Sequence, residues 1–113
     1  MKKIIAYIRK EKADITIEKL EAAGVKGMTI IDANALAEWA DKDSFSYSIE
    51  YVEKYSRVVK IELVCNNEDS DMLSNIIAKY AHTGKSGDGW VFVSTIDKAV
   101  RIKTGKVDDF ENL

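Results

Sequence analysis

The sequence predicts an α+β fold with the element order β-α-β-β-α-β, and two features of the chain indicate it. Short apolar runs rich in β-branched residues alternate with segments whose apolar residues recur at helical spacing. The same strand–helix–strand order occurs on both sides of a long polar segment, in units of about 30 residues. A ferredoxin-like antiparallel sheet with both helices on one face fits this order, and an unrelated α+β sandwich is the alternative.

The first unit reads as a strand, a helix and a second strand. Residues 3–9 form a short apolar run that is typical of a buried strand. The apolar side chains of residues 14–23 are spaced for one helix face, and Gly24 follows where a terminating glycine belongs. Residues 28–31 then predict the second strand.

The second unit repeats this order. Residues 58–65 alternate apolar and polar side chains, as a half-buried strand does, and Cys65 is expected to be a buried structural thiol. Residues 71–82 carry an apolar stripe at helical spacing, and Gly84 is expected to end this helix. Residues 90–93 predict the last strand.

A long polar connection, residues 32–55, joins the two units. Loops of this length inside a compact domain are usually functional or disordered, although residues 33–40 also have the composition of a helical turn. The sheet face that carries Ile5 and Tyr7 has no helix to cover it, so a homo-oligomer is expected. Scattered aromatic side chains in the connection indicate contact with another surface. They are Trp39, Phe45, Tyr47 and Tyr51.

The composition limits the classes of protein to which the chain can belong. Its 113 residues suffice for one domain, residues 1–113, and 46% hydrophobic with 32% charged residues is typical of globular proteins. The net charge of −2 provides no general attraction to nucleic acid, so no nucleic-acid partner is expected. Without a long apolar run or a signal-peptide pattern, a cytoplasmic protein that does not insert into the membrane is expected.

Two polar turns predict a phosphate site. The first, Thr83–Gly89, contains three glycines, which allow backbone N–H groups to converge on an anion. The second, Arg101–Lys106, follows the last strand and carries three cations. We refer to them as the glycine turn and the C-terminal turn.

These segments resemble the PII nitrogen-regulatory signal-transduction family over almost the whole chain. Two signatures occur in the right order and at the right spacing. The first is Thr83-Gly84-Lys85 with Gly87-Asp88-Gly89, and the second is Arg101-Ile102 with Thr104-Gly105. Further matches are Met1–Ile4, Gly27–Thr29, Glu50–Val52 and Lys60–Glu62.

The resemblance implies a homotrimer of ferredoxin-like subunits with a nucleotide site in each cleft between subunits. It implies a T-loop near residues 36–55, a B-loop near 82–90 and a C-loop near 101–108. Such a protein is a regulator and not an enzyme; it senses ATP, ADP or AMP and docks on a target enzyme or transporter through the T-loop. Participation of magnesium is left open. The residues at nucleotide-contacting positions are Thr29, Val64, Gly87, Asp88, Gly89, Trp90, Arg101 and Lys103.

The chain departs from the family pattern at positions that bind charge. Trp90 replaces a phosphate-contacting lysine, and Lys103 replaces an arginine and so loses its bidentate geometry. Trp39 replaces a glutamine that ligates the magnesium of bound 2-oxoglutarate, and Val58 replaces the lysine that pairs with its carboxylate. We therefore expect that 2-oxoglutarate is not bound in the usual way.

Two T-loop positions bear on modification and docking. Tyr51 matches the tyrosine that is uridylylated in some members, and an unmodified exposed aromatic is the alternative. Tyr47 replaces the arginine that inserts into ammonium channels, so docking on an ammonium transporter is not expected.

Two other functions stay open on the sequence alone. The chain could be a scaffold that has lost nucleotide binding, with Trp90 filling the cleft. It could also be a slow ATPase, for which Asp88 or Glu62 would be the general base. No metal site is expected, because the single histidine, His82, has no partners for one.

Overall fold

The computed structural model describes residues 1–36 and 55–108, which form one antiparallel sheet and two helices. Their order confirms the predicted α+β ferredoxin-like fold. One turn of 3₁₀ helix precedes each α-helix, at Lys10–Lys12 and Asn67–Asp69. The strands are β1 (Lys2–Arg9), β2 (Thr29–Leu36), β3 (Tyr55–Cys65) and β4 (Trp90–Thr95), and the helices are α1 (Ala13–Ala22) and α2 (Ser70–Tyr80).

The sheet has the strand order β2-β3-β1-β4, and all neighbours are antiparallel. β1 and β3 are therefore central, and β2 and β4 are the edges. Side chains alternate between the faces of a strand, so Ile4 of β1 and its β3 partner Leu63 are buried toward the helices. Tyr7 and its partner Lys60 lie on the opposite, open face.

The core lies between the sheet and the two helices. Leu20 of α1 and Ile77 of α2 are fully buried in it. Thr16 is also fully buried, and its hydroxyl donates to the carbonyl of Lys12 at 2.7 Å, so no polar group is left unsatisfied there. Cys65 is buried as predicted, and burial raises the pKa of its thiol.

The end of α1 confirms the role predicted for Gly24. Its N–H donates to the carbonyl of Glu21 at 3.0 Å, and the N–H of Val25 donates to that of Leu20 at 3.1 Å. This is the Schellman pattern, which requires a left-handed residue, and Gly24 has a φ of 102°.

The end of α2 differs from the prediction. The helix ends at Tyr80, so the expected extension to His82 and termination by Gly84 are wrong. The N–H groups of Thr83 and Gly84 donate to the carboxylate of Asp88, each at 2.9 Å. Hydrogen bonds to a downstream side chain take the place of another helical turn, which the apolar periodicity could not indicate.

β2 is longer than predicted and includes part of the segment, residues 33–40, for which a helical turn was the alternative. Residues 33–36 continue the strand and pair with β3, so a helical turn there is wrong. The pairing of Ala33 with Val58 and the burial of Ala35 explain why the strand continues. Predictions for the remainder of the connection, residues 37–54, lie outside the described residues, including those for Trp39, Tyr47 and Tyr51.

The open face of the sheet is rich in aromatic side chains. Trp90 and Phe92 of β4 stack with ring centroids 6.2 Å apart, and Tyr7 meets Phe92 edge-on at 6.4 Å. In the single chain Trp90 is 55% exposed and Phe92 is 42% exposed. The chain thus presents a contiguous aromatic surface on the face opposite its helices.

Candidate functional site

The glycine turn connects α2 to β4 and packs closely against β1. At Gly89, a Cβ atom would lie 1.8 Å from the carbonyl oxygen of Tyr7, and φ is 97°. Both facts exclude a side chain there. The glycine that the sequence assigned to phosphate binding therefore also has a packing role against the strand.

The carboxylate of Asp88 organises this turn from within. Its Oδ2 atom accepts hydrogen bonds from the N–H groups of Thr83 and Gly84, each at 2.9 Å. Its Oδ1 atom accepts one from the Thr83 hydroxyl. The carboxylate is directed at its own loop, which closes the turn into a ring.

Arg9, the last residue of β1, completes this arrangement and was missed by the sequence analysis. Its Nε donates to Asp88 Oδ1 at 2.9 Å, and its Nη2 donates to the carbonyl of Ser86 at 2.8 Å. The residue is only 3% exposed, and Glu11 Oε1 lies 3.9 Å from Nη1. A cation at the end of an apolar strand was the available signal, but nothing local connects it to a partner 79 positions away.

These contacts determine the charge of Asp88. Partial burial by itself would raise the pKa of the carboxyl, but the hydrogen bonds from Thr83, Arg9 and Gly84 outweigh it and keep the pKa well below its usual range. Asp88 therefore remains ionised at neutral pH. His82 Nδ1 lies 3.7 Å from Asp88 Oδ2 with its own side chain largely exposed.

The amide donors of the turn fall into two groups. The N–H of Lys85 donates to Thr83 Oγ1 at 3.1 Å, so the first three amides of the turn are used internally. Within the described part of the chain, the N–H groups of Ser86 and Gly87 donate to no protein acceptor. The Lys85 side chain is exposed. The turn thus offers two amide donors and one cation to an anion.

Trp90 follows the turn directly and borders a small cleft. Together with Asp88, Gly89 and His82, it lines a cleft of about 300 Å³ between α2 and the start of β4. Its ring is half-exposed and stacks on Phe92, which lies on the open face of the sheet.

The C-terminal turn is closed by its own backbone. The N–H of Arg101 donates to the carbonyl of Lys106 at 2.9 Å, and the N–H of Gly105 donates to that of Arg101 at 2.7 Å. The Lys103 side chain is exposed. The predicted cations therefore lie on a compact turn that follows the last strand.

Thr29 and Val64 lie in a different place from the glycine turn. They line a cleft of about 780 Å³ at the start of β2, together with Lys3 and Glu62. The Lys60 hydrogen bond, at 2.7 Å, lowers the pKa of Glu62. This cleft shares no lining residue with the one beside Trp90.

A single chain does not bring the predicted site residues together. β2, which begins at Thr29, and β4 are the two edge strands of the sheet. They lie three strand spacings, or about 14 Å, apart. The glycine turn precedes β4 and the C-terminal turn follows it, and this strand is about 17 Å long. Thr29 is thus separated from the glycine turn within one subunit, and the C-terminal turn follows at the far end of β4 along the chain.

Two further findings concern only residues 1–36 and 55–108. Among them, no group of three His, Cys, Asp or Glu side chains is placed to hold a metal ion. Neither helix is long and apolar enough to cross a lipid bilayer.

The described residues thus form a ferredoxin-like domain with a polar, glycine-rich turn beside an edge strand. The family model described as "Nitrogen regulatory protein P-II" matches residues 1–106 of this chain. The chain therefore belongs to the PII nitrogen regulatory protein family, as the resemblance in the sequence predicted.

Relatives across bacteria and archaea support this assignment. "Nitrogen regulatory protein P-II 2" of Methanothermobacter thermautotrophicus is 40% identical over 94% of this chain and 92% of its own length. "Nitrogen regulatory protein P-II" of Rhodobacter capsulatus is 36% identical, and "Nitrogen regulatory protein P-II 1" of Escherichia coli is 35% identical. Each of these two covers 96% of this chain and 97% of its own length.

Proposed function

We propose that this protein is a regulatory member of the family that binds an adenine nucleotide (ATP, ADP or AMP) in the clefts between the subunits of a homotrimer. Occupancy of the cleft shifts the T-loop, residues 36–55, between states that differ in their affinity for a target protein. The names of the relatives support a role in nitrogen regulation. A cytoplasmic location, where these nucleotides are abundant, is part of the same proposal.

The observation that carries this proposal is the geometry of the glycine turn. It is fixed from inside by Asp88, while the N–H groups of Ser86 and Gly87 have no acceptor among the described residues and the Lys85 side chain is exposed. Backbone donors in a preformed turn, with a cation beside them, suit a phosphate group.

The separation of the candidate residues supports a site shared between subunits. In this arrangement, a nucleotide on the glycine turn of one subunit receives Thr29 and Val64, with Arg101 and Lys103, from a second copy of the chain. The aromatic surface of the open sheet face supports association too, because half-exposed stacked rings gain from burial.

The surroundings of Val58 support the absence of ordinary 2-oxoglutarate binding. Val58 is 4% exposed and pairs with Ala33 on one side and Arg9 on the other. The guanidinium of Arg9 is engaged by Asp88 and the Ser86 carbonyl. Neither Val58 nor its neighbour Arg9 therefore supplies an uncommitted cation in place of the family lysine that pairs with a carboxylate.

Two observations favour a binding protein over the alternatives. The lowered pKa values of Asp88 and Glu62 make both carboxylates weak bases, which argues against an ATPase that uses either one. The ring of Trp90 is 55% exposed and stacks on the exposed Phe92, so it remains available to contact a bound base, which favours a binding protein over a scaffold whose cleft the ring has filled.

Calorimetric titration with ATP, ADP, AMP, a cyclic adenine nucleotide and 2-oxoglutarate, with and without magnesium, tests the proposal. We expect saturable heat from at least one adenine nucleotide and none from 2-oxoglutarate alone. Light scattering should give a mass three times that of the 12.7 kDa chain. An Arg101→Ala variant should bind about 10- to 100-fold more weakly, because a charge-assisted contact is lost, whereas the exposed control Lys98→Ala should not change affinity.

Three other outcomes would each contradict a different part of the proposal. Absence of heat from every adenine nucleotide would contradict nucleotide sensing and favour the scaffold. Release of phosphate from ATP would favour the enzyme. Unchanged affinity of the Arg101→Ala variant would show that the C-terminal turn is not part of the site.

A further inference from the structure

We propose that Arg9 is a positioning residue that orients the N–H of Gly87 toward the bound phosphate. The inference rests on the proposed function, since it concerns how that nucleotide site is shaped. It assigns a role to a buried residue that the sequence analysis left on a strand. Three features of the structure lead to it.

The first feature is a two-point contact. Arg9 Nε donates to Asp88 Oδ1 at 2.9 Å, while Nη2 donates to the Ser86 carbonyl at 2.8 Å. One guanidinium thus fixes both a side chain and a backbone group of the glycine turn. The planar arrangement of its donors allows this, whereas a lysine ammonium would be a single point of attachment.

The second feature is the direction of the peptide that Arg9 holds. The C=O of Ser86 and the N–H of Gly87 belong to one trans peptide plane, in which they point in opposite directions. When Arg9 draws the carbonyl inward, the N–H of Gly87 must point outward. That N–H is one of the two donors of the turn without a protein acceptor in the described residues.

The third feature is burial. Arg9 is 3% exposed, so its charge is held in place by the turn and is kept away from solvent. A buried charge requires partners, and Asp88 and the Ser86 carbonyl of the turn are two of them. The close packing of Gly89 on the Tyr7 carbonyl attaches the same turn to the same strand at a second place.

The contact itself can be tested on the nucleotide-free protein by amide hydrogen exchange. In an Arg9→Gln variant, the amides of Thr83 and Gly84 should exchange about tenfold or more faster, because Asp88 loses its partner. The amides of Gly24 and Val25 at the end of α1 are internal controls and should not change. Unchanged exchange at Thr83 and Gly84 would overturn the inference.

The consequence for binding can be tested with a double-mutant cycle on the affinity for the adenine nucleotide that the wild type binds. Arg9→Gln should weaken binding about 10- to 100-fold, with Arg9→Lys between it and the wild type. Combined with Asp88→Asn, Arg9→Gln should add little, because both act through the same turn. The neighbouring exposed control, Lys10→Gln, should bind normally.

The outcomes distinguish a failure of this inference from a failure of the proposed function. If the wild type binds no adenine nucleotide, the proposed function fails, and the inference fails with it. If the wild type binds but Arg9→Gln binds equally well, only the inference fails. Losses that multiply in the double variant would also overturn it, since they would mean that Arg9 and Asp88 act independently.

Discussion

The glycine turn and the C-terminal turn are similar in composition, since both combine glycine with lysine and a threonine, but they are stabilised differently. The glycine turn depends on Arg9, a residue from the other end of the chain, and on Asp88, which is largely shielded from solvent. The C-terminal turn depends on hydrogen bonds between its own residues. Two turns of similar composition are thus stabilised in different ways. Long-range contacts hold the glycine turn, and short-range hydrogen bonds hold the C-terminal turn.

The two turns also differ in how exposed their residues are to solvent. Ile102, within the C-terminal turn, is 99% exposed, whereas Arg9 beneath the glycine turn is 3% exposed. Asp108 reinforces the C-terminal turn by accepting the Ala99 N–H at 2.9 Å, which is again a short-range contact. Substitutions should therefore destabilise the protein strongly in the first turn and weakly in the second.

The largest effect is expected for Gly89→Ala. The new Cβ would overlap the Tyr7 carbonyl, and alanine would have to adopt the positive φ of 97° that glycine has there, so we expect a loss of about 3 kcal/mol or more in the free energy of unfolding. Gly84→Ala is a matched control in the same turn, because Gly84 also has a positive φ, of 85°, but its Cβ would lie 3.7 Å from the nearest atom, in the His82 ring. Urea unfolding at a fixed protein concentration measures both; equal losses would contradict the packing argument.

An intermediate effect is expected for Asp88→Asn, and it should depend on pH. At pH 7 the loss of hydrogen bonds to a charged group should cost about 2 kcal/mol. The folded-state pKa of Asp88 is below the unfolded value of about 3.9, so its contribution is complete above that value and declines as the pH falls below it.

Urea unfolding of the wild type and Asp88→Asn at pH 7, 5 and 3 tests this dependence. The difference in the free energy of unfolding between the two proteins should be constant from pH 7 to 5 and should become smaller toward pH 3. A difference that does not change with pH would mean that the charge of Asp88 does not stabilise the turn.

The smallest effect is expected for Gly105→Ala in the C-terminal turn. Its φ is 69°, but a Cβ would meet no atom within 4 Å, so only the backbone conformation opposes the change, at about 1 kcal/mol. Thermal unfolding alongside Gly89→Ala gives the direct comparison between the turns. A loss as large as that of Gly89→Ala would show that the C-terminal turn is also held by packing.

Much of the fold could be predicted from periodicity, because apolar spacing reports which side of an element is buried. The four strands and two helices were found this way, and Gly24 was found by its place after an amphipathic segment. The end of α2 could not be predicted, because the carboxylate of Asp88 competes for the amides that follow the helix. The length of β2 depended on its pairing with β3.

The candidate site shows the same limit. Its glycines and cations were visible in the sequence, but the separation of Thr29 from the glycine turn within one subunit depends on strand order. The sequence could not show that Arg9 contacts Asp88, because the two residues are 79 positions apart. They meet because β1 and β4 are antiparallel neighbours, which places the end of β1 beside the turn that precedes β4.

By itself, the sequence determined the ferredoxin-like order of elements, the membership of the PII family and the glycine turn, because these follow from local spacing and from motifs. Only the tertiary structure decided how that turn is held, since a buried guanidinium takes whichever partners the fold places within hydrogen-bonding distance. Arg9 is a strand residue in the sequence and a support for the turn in the structure.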